Sequence, residues 1–296
     1  MDPAHLELLE RHAPIVRFNE GEYFLPASVE SFVARAELWE RTGPAERRLL
    51  APAGTLDLEG LVAATRGSTA RHYLRLVSAK VPQADLVAWR LHRDRPRFRA
   101  HSRLGRVGVL ARFIDAGSRV SLLLRGRVPT GAQTAAALLD RDRPDHGDHP
   151  YYGRVLSSAG YVVLQYWFFF YFNDWRSRAH GVNDHEGDWE QVTVMLAPEP
   201  GSRPPTPVWV AYSAHDEVGA DLRRRWDDPD LTVVDGHPVV HAGLGSHAGA
   251  YLPGEYLVSV RDTRFAHVVQ LVHRVSRVLV PLSRREQEAG VGIPYV

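Results

Sequence analysis

Residues Tyr161 to Phe172 form a twelve-residue stretch of aromatic and aliphatic side chains, interrupted only by Gln165. A bilayer needs about 20 apolar residues in a row, so the stretch is too short to span one. Its composition is that of a central strand buried on both faces. It constrains the fold because such a strand must be covered on either side by other elements. The segment from Gln191 to Leu196 alternates and is β-branched, as a neighbouring strand does. Val208 to Ser213 and Pro238 to Ala242 read as two more strands, separated by the Pro-rich loop Pro198–Pro207 and the charged excursion Asp221–Asp230. The expected core is an antiparallel β-sandwich over about residues 150–275.

The first half of the chain reads differently. Asp2 to Ala13 suits a short helix stopped by Pro14, and Arg17 to Leu25 is extended. Ser28 can cap a helix with Val29, Phe32, Val33, Ala36 and Trp39 on one side, ended by Gly43-Pro44. Leu58 to Thr65 has weaker helical spacing, Tyr73 to Leu91 suits strands broken at Pro82, and Thr130 to Leu139 is an alanine-rich helix. The fold class expected is therefore α+β, a sandwich decorated by helices with a largely helical N-terminal part. Residues 1–145 form the helical or mixed part, packed on a sandwich over 146–296, as one compact unit.

Composition narrows the chemistry. The formal net charge is +1, so the molecule as a whole carries no bulk attraction for polyanions. The chain has no cysteine, hence no disulfide and no thiolate ligand, and a metal must be held by His, Asp, Glu or carbonyl groups. Residues 1–10 lack the basic and apolar regions of a signal peptide, which makes the cytoplasm the default compartment. Eleven arginines fall between Arg90 and Arg127, against Asp94 and Asp115, around apolar Val109, Leu110, Phe113 and Ile114. This is either a core-facing helix with a solvated basic face or a peripheral membrane contact. Aromatics are not interleaved with these arginines, and nothing resembles a nucleic-acid module. The last residues, Gly290 to Val296, are apolar. They suggest a fragment or a tail that docks onto something else, with a short strand tucked into the same domain as the alternative.

The stretch with most chemistry is His185-Glu186-Gly187-Asp188-Trp189-Glu190. If the strand already runs from Asp188, then Asp188 and Glu190 share a face with Val192 and Val194. Gly187 lets the chain bend, so that His185 swings to the same side. Other candidate ligands follow strands: Asp174, His215 and His247. Loops gather at the ends of a sandwich, so these segments can converge. Three imidazoles and three carboxylates suit a divalent cation, Ca²⁺, Mg²⁺, Mn²⁺ or a catalytic Zn²⁺. His180, His237 and His241 are weaker candidates, and Trp167, Trp189 and Trp209 read as core. The chain has no Gly-x-Ser-x-Gly elbow and no phosphate-binding glycine-rich loop. Ser213 and Ser246 each lie near a His in sequence, which does not make a triad.

Four groups of motifs run along the chain: Pro14-Ile15-Val16-Arg17-Phe18 with Glu22-Tyr23-Phe24-Leu25-Pro26, Gln165-Tyr166-Trp167-Phe168-Phe169 with Asn173-Asp174, the His185–Glu190 motif, and Pro238-Val239-Val240 with Gly245-Ser246-His247-Ala248. On these the chain resembles the Vps62-related proteins, as a bacterial member. Tyr251 stands two residues later than the family's usual tyrosine. More distantly, the chain is similar to the necrosis-and-ethylene-inducing cytolysins, with their Gly-His-Arg-His-Asp-Trp-Glu motif. That likeness implies a β-sandwich whose divalent cation would be held by Asp174, His185, Asp188 and Glu190. Those cytolysins are secreted and disulfide-bonded, and this chain has no cysteine and no signal peptide, so their toxicity is not implied.

The residues therefore point first to a cation site that binds a sugar or lipid head group. A metal-dependent hydrolase with Glu186 or Glu190 as base is the alternative. A peripheral membrane protein working through residues 90–127 is the third reading.

Overall fold

The computed structural model describes residues 2–19, 22–43, 46–77, 132–173, 185–201, 204–213, 222–253, 257–259 and 292–294. Asp174, His180, His215 and the arginine-rich stretch 90–127 lie outside them.

Helix α1 (Pro3–Arg11) begins where Asp2 accepts the Ala4 amide at 3.0 Å, with proline in its first turn, where no amide is needed. Strand β1 (Ile15–Arg17) follows Pro14. Helix α2 (Val29–Arg35) is capped by Ser28, whose hydroxyl accepts the Ser31 amide at 3.2 Å. It ends earlier than the spacing through Trp39 suggests. Glu37–Arg41 is strand β2 instead, paired on one side with β3 (Arg47–Ala51) and on the other with β4 (Arg71–Arg75). Helical spacing puts Ala36 and Trp39 on the inner face, whereas the structure buries Ala36 and Leu38, the period of a strand held by its two partners. Helix α3 (Leu58–Thr65) connects β3 to β4, and α4 (Ala132–Arg141) is the alanine-rich helix. The described N-terminal part is thus mixed rather than largely helical.

The second half is strand-rich. Strands β5 (Tyr152–Ser158), β6 (Tyr161–Asn173), β7 (His185–Ala197), β8 (Thr206–Tyr212) and β9 (Arg223–Arg225) form an antiparallel sheet in sequence order. Ala159 and Gly160, both at positive φ, make the two-residue turn between β5 and β6. Strand β11 (His237–Ala242) pairs with β10 (Val233–Val234) and β12 (Gly249–Ala250), and in parallel with β1, placing Ile15 opposite Val239. Strands β13 (Leu257–Ser259) and β14 (Gly292–Pro294) pair antiparallel as a separate two-stranded sheet.

Strand β6 is covered on both sides, as its composition requires. Leu164, Tyr166, Phe168 and Phe170 face a cluster with Leu9, Val192, Val194, Leu196, Val210, Val240 and Tyr251. Phe169, Tyr171 and Phe172 join Phe24, Ala27, Phe32, Ala136 and Ala137. Val33, Leu38 and Leu56 form a third cluster beneath the three-stranded sheet. The whole is a β-rich α+β fold, built from several largely antiparallel sheets with four helices among the described residues. No helix among them is long and apolar enough to cross a membrane.

Candidate functional site

The β6–β7 register sets Phe168 opposite Glu190 and Phe170 opposite Asp188. Directly opposed residues share a face, so both carboxylates point the way Phe168 and Phe170 do, into the first cluster. Asp188 is 7% exposed and Glu190 8%, between outward-facing Trp189 at 43% and half-buried Gln191. Gly187 sits at φ +70°, a conformation that costs a side-chain-bearing residue energy. At this residue the strand changes face. Glu186 leaves Asp188 and turns to the end of β4, where its carboxylate accepts the amides of Leu76 at 2.5 Å and Val77 at 3.1 Å. Glu186 therefore satisfies backbone donors at a strand end, away from the group of side chains around Asp188.

Asp188 is the hub of that group. Its Oδ1 lies 3.3 Å from His185 Nε2, and its Oδ2 accepts from Asn173 Nδ2 at 3.0 Å and from His247 Nδ1 at 3.0 Å. His247 arrives from the loop between β11 and β12. That loop is closed by Gly243 donating to the Ala248 carbonyl and His247 donating to the Gly243 carbonyl. His247 takes φ +58°, and its ring stacks flat on Phe170, with centroids 3.8 Å apart and planes 2° from parallel. Its Nε2 lies 3.7 Å from Glu22 Oε1. Glu22 in turn accepts the amides of Tyr23, Phe24 and Gly245. On the far side of Asp188, the Ser213 hydroxyl donates to Glu190 while accepting the Gln191 amide at 2.7 Å.

These surroundings decide the charges. Burial alone would strip the proton from His247, but the carboxylates of Asp188 and Glu22 outweigh it and lift the imidazole to about 9. Burial likewise opposes ionisation of Asp188 and Glu22. Hydrogen bonds from His185 and His247 hold Asp188 far below the usual carboxylate range, and His247 with the Gly245 amide holds Glu22 below it. Glu190 goes the other way. Burial raises it to about 8, the Asp188 charge adds to the effect, and the bond from Ser213 only moderates it. At neutral pH the site thus holds a buried imidazolium between two carboxylates, next to a protonated carboxyl group.

His185, Asp188, Glu190 and His247 come together at one end of the sheet. Asp174 and His215 follow directly on Asn173 and near Ser213, outside the described residues. Three members were not singled out individually as site residues: Glu22, Asn173 and Ser213. Glu22 and Asn173 do fall within the segments carrying the family resemblance. His237 and His241 serve elsewhere: His237 Nδ1 lies 2.7 Å from the Ala13 carbonyl, and His241 is lowered by burial and by Arg17 across the β1–β11 pair. Trp189 is not core; it stacks edge-on with Tyr152 and Trp167 at the surface. Among the described residues no group of three or more His, Asp or Glu stands arranged to hold a metal ion. Buried atoms without a hydrogen-bond partner are found on residues of this group: Asn173 Oδ1, Ser246 Oγ and His247 Nε2.

The chain matches no protein-family model and no curated protein. The Vps62-related likeness therefore rests on the motifs alone. Among solved structures the chain is similar to the crystal structure of Necrosis and Ethylene inducing Protein 2 from the causal agent of cocoa's Witches Broom disease, with 19% identity and a TM-score of 0.28. The match covers 38% of this chain and spans 50% of that one. At that score it carries no argument about fold or function.

Proposed function

We propose that the end of the five-stranded sheet at Asn173, His185, Asp188 and Glu190 is a divalent-cation site, and that the cation presents a sugar or lipid head group to the protein. The observation that carries this reading is Asn173 Oδ1, a buried carbonyl oxygen with no hydrogen-bond partner, fixed beside a buried ionised Asp188. An oxygen acceptor in that state is costly unless a cation or a donor meets it. The donor types support it: an amide oxygen, two carboxylates and an imidazole are groups that Ca²⁺, Mg²⁺, Mn²⁺ or Zn²⁺ takes as ligands. In this reading His247 does not ligate; it donates to Asp188 and orients it, as outer hydrogen bonds do around metal ligands. Asp174 and His215 belong to the reading through their place in the sequence. The shared buried cluster of the five-stranded sheet and β11 supports the sandwich that goes with it. The cation supplies positive charge to ligand hydroxyl or phosphate oxygens, and the protein supplies the fixed donors around it.

Elemental analysis of protein purified without added metal, with melting curves in EDTA and after re-addition of each cation, tests the site. A cation bound only by the folded state raises stability by on the order of a few kcal/mol at saturation. Chelation should lower Tm, one cation should restore it, and Asp188→Ala should remove the response. Equal Tm with and without chelator at matched ionic strength overturns the reading. A head-group and glycan panel with and without EDTA then separates binding from its alternative. That alternative, a metal-dependent hydrolase, is favoured by one observation: Glu190 is a buried carboxyl group that titrates near neutral pH and can take or give a proton. Turnover of an ester or phosphodiester substrate, lost in Glu190→Gln with cation binding retained, would select it.

A further inference from the structure

The three-stranded sheet carries a charge arrangement that the cation site does not explain. Its register sets Arg47 opposite Arg41 on one side and Arg71 opposite Arg41 on the other. Three arginines thus stand in one row across three strands, on one face and all exposed. Neighbours in such a row have Cβ atoms about 5 Å apart, and like charges there repel. The row itself holds no acid. Glu40, next along β2, lies on the opposite face, where it takes Arg48 Nη2 at 2.8 Å and faces His72 Nε2 at 3.6 Å. Glu46, in the adjoining turn, brings its Oε2 to 3.9 Å from where a Cβ on Gly43 would stand, so one carboxylate borders the turn beside the row.

A cavity of about 510 Å³ opens beside this row, lined by Arg41, Thr42, Gly43, Thr69, Ala70 and Arg71. Arg41 Nε donates to the Gly43 carbonyl at 3.1 Å, which fixes its guanidinium at the wall. Two guanidinium forks and two threonine hydroxyls form a donor-rich lining suited to a tetrahedral dianion. The next row on the same face is Leu49, Trp39 and Tyr73, one strand repeat away, with Trp39 pinned by its Nε1 donating to Glu37 at 2.8 Å. That row, one aliphatic and two aromatic side chains, lies outside the cavity lining, roughly 7 Å from the arginines, two residues along a strand. The volume is of the size that holds a small ligand.

We propose that this face binds a phosphate monoester carrying a flat ring. Arg41 and Arg71 clamp the phosphoryl group, and Trp39 with Tyr73 takes the ring. The site is separate from the cation site: Arg71 opens β4, whereas Glu186 meets the chain just beyond the other end of that strand.

Isothermal titration with phenyl phosphate, inorganic phosphate and phenol, at matched ionic strength and in EDTA, tests this. Phenyl phosphate should bind several-fold more tightly than inorganic phosphate, and phenol should not bind measurably. Arg71→Gln should weaken both phosphates about tenfold, and Arg41→Gln with Arg71→Gln should abolish binding, since each charge-assisted bond is worth about one such factor. Trp39→Leu should remove the advantage of phenyl phosphate and leave inorganic phosphate unchanged. Circular dichroism of each variant establishes that the sheet is intact; should the double variant unfold, Arg71→Gln and Trp39→Leu carry the test. No heat from either phosphate at millimolar concentration overturns the proposal, as does equal binding by wild type and the folded arginine variants. Sedimentation with phosphatidylserine vesicles alongside no binding of phenyl phosphate also overturns it, and assigns the row to a membrane surface.

Discussion

Glu190 and His247 are held in their protonated forms at neutral pH for opposite reasons, one by burial and the other by its carboxylate neighbours. Each has a folded value above its ordinary one of 4.5 or 6.5, so each stabilises the fold while protonated. That contribution is complete below the ordinary value and is lost as pH rises through about 8 for Glu190 and about 9 for His247. The metal-free protein should therefore lose stability from about pH 4.5 to 9, through Glu190 up to about 8 and through His247 from about 6.5 upward, read as a falling Tm in EDTA. Asp188 and Glu22, both depressed, contribute in the other direction and lose their part as pH falls below the usual carboxylate range. A His247→Gln variant should show a flatter alkaline limb; an unchanged limb would mean that His247 is not charged in the native state. If a cation binds, it must displace the Glu190 proton. Its affinity should then rise with pH up to about 8, with up to one proton released on binding, and Glu190→Gln should remove that dependence. Titration in buffers of different ionisation enthalpy counts the proton.

At the scale of elements, β7 carries two unlike jobs on either side of Gly187. Before it, Glu186 closes the end of β4; after it, Asp188 and Glu190 face inward. Glu186→Ala leaves two backbone amides unpaired and should cost about 1–3 kcal/mol of stability without altering cation affinity. Chemical denaturation and a binding titration on the same variant separate the two effects, and a loss of cation affinity would return Glu186 to the site. The β11–β12 loop is tied down by close packing. A Cβ at Gly249 would lie 2.8 Å from Tyr212 Cβ and 3.0 Å from Val240 Cγ2, both on buried residues. Gly249→Ala should cost about 1–3 kcal/mol through overpacking and shift the loop that carries His247. A Tm within one degree of wild type would show that the loop accommodates the methyl group.

Across the whole molecule, the N-terminal elements are built into the C-terminal sheets. Strand β1 completes the β11 sheet, and Leu9 of α1 is buried against β6, whose Tyr166 hydroxyl donates to the Leu9 carbonyl at 2.9 Å. These contacts join residues more than 150 positions apart in sequence. Leu9→Ala should lower global stability by about 2–5 kcal/mol, through the lost apolar burial and the cavity left against Tyr166 and Leu164. Urea unfolding checks it. A single transition with unchanged slope and a lower midpoint is expected; a separate early transition would mean that α1 unfolds on its own.

Local chemistry was enough to place several features from the sequence. The aromatic run can only be a strand covered on both faces. The period of two puts Asp188 and Glu190 on one side, and Ser28 and Asp2 announce their helices through the amides they accept. The tertiary structure decided whatever depends on a partner distant in the chain. Ala36 and Trp39 extend the helical spacing begun at Val29, yet the chain leaves the helix at Arg35 because Glu37–Arg41 pairs with β3 and β4. Glu186 and Asp188 look equivalent in the motif, yet the positive φ at Gly187 and the amides of Leu76 and Val77 separate them. Glu22 becomes part of the site only because the loop carrying His247 folds back over residues more than 220 positions away. Sequence spacing fixes which face a side chain takes within its own strand. The charge that side chain carries depends on burial and on neighbours that only the folded chain brings within reach.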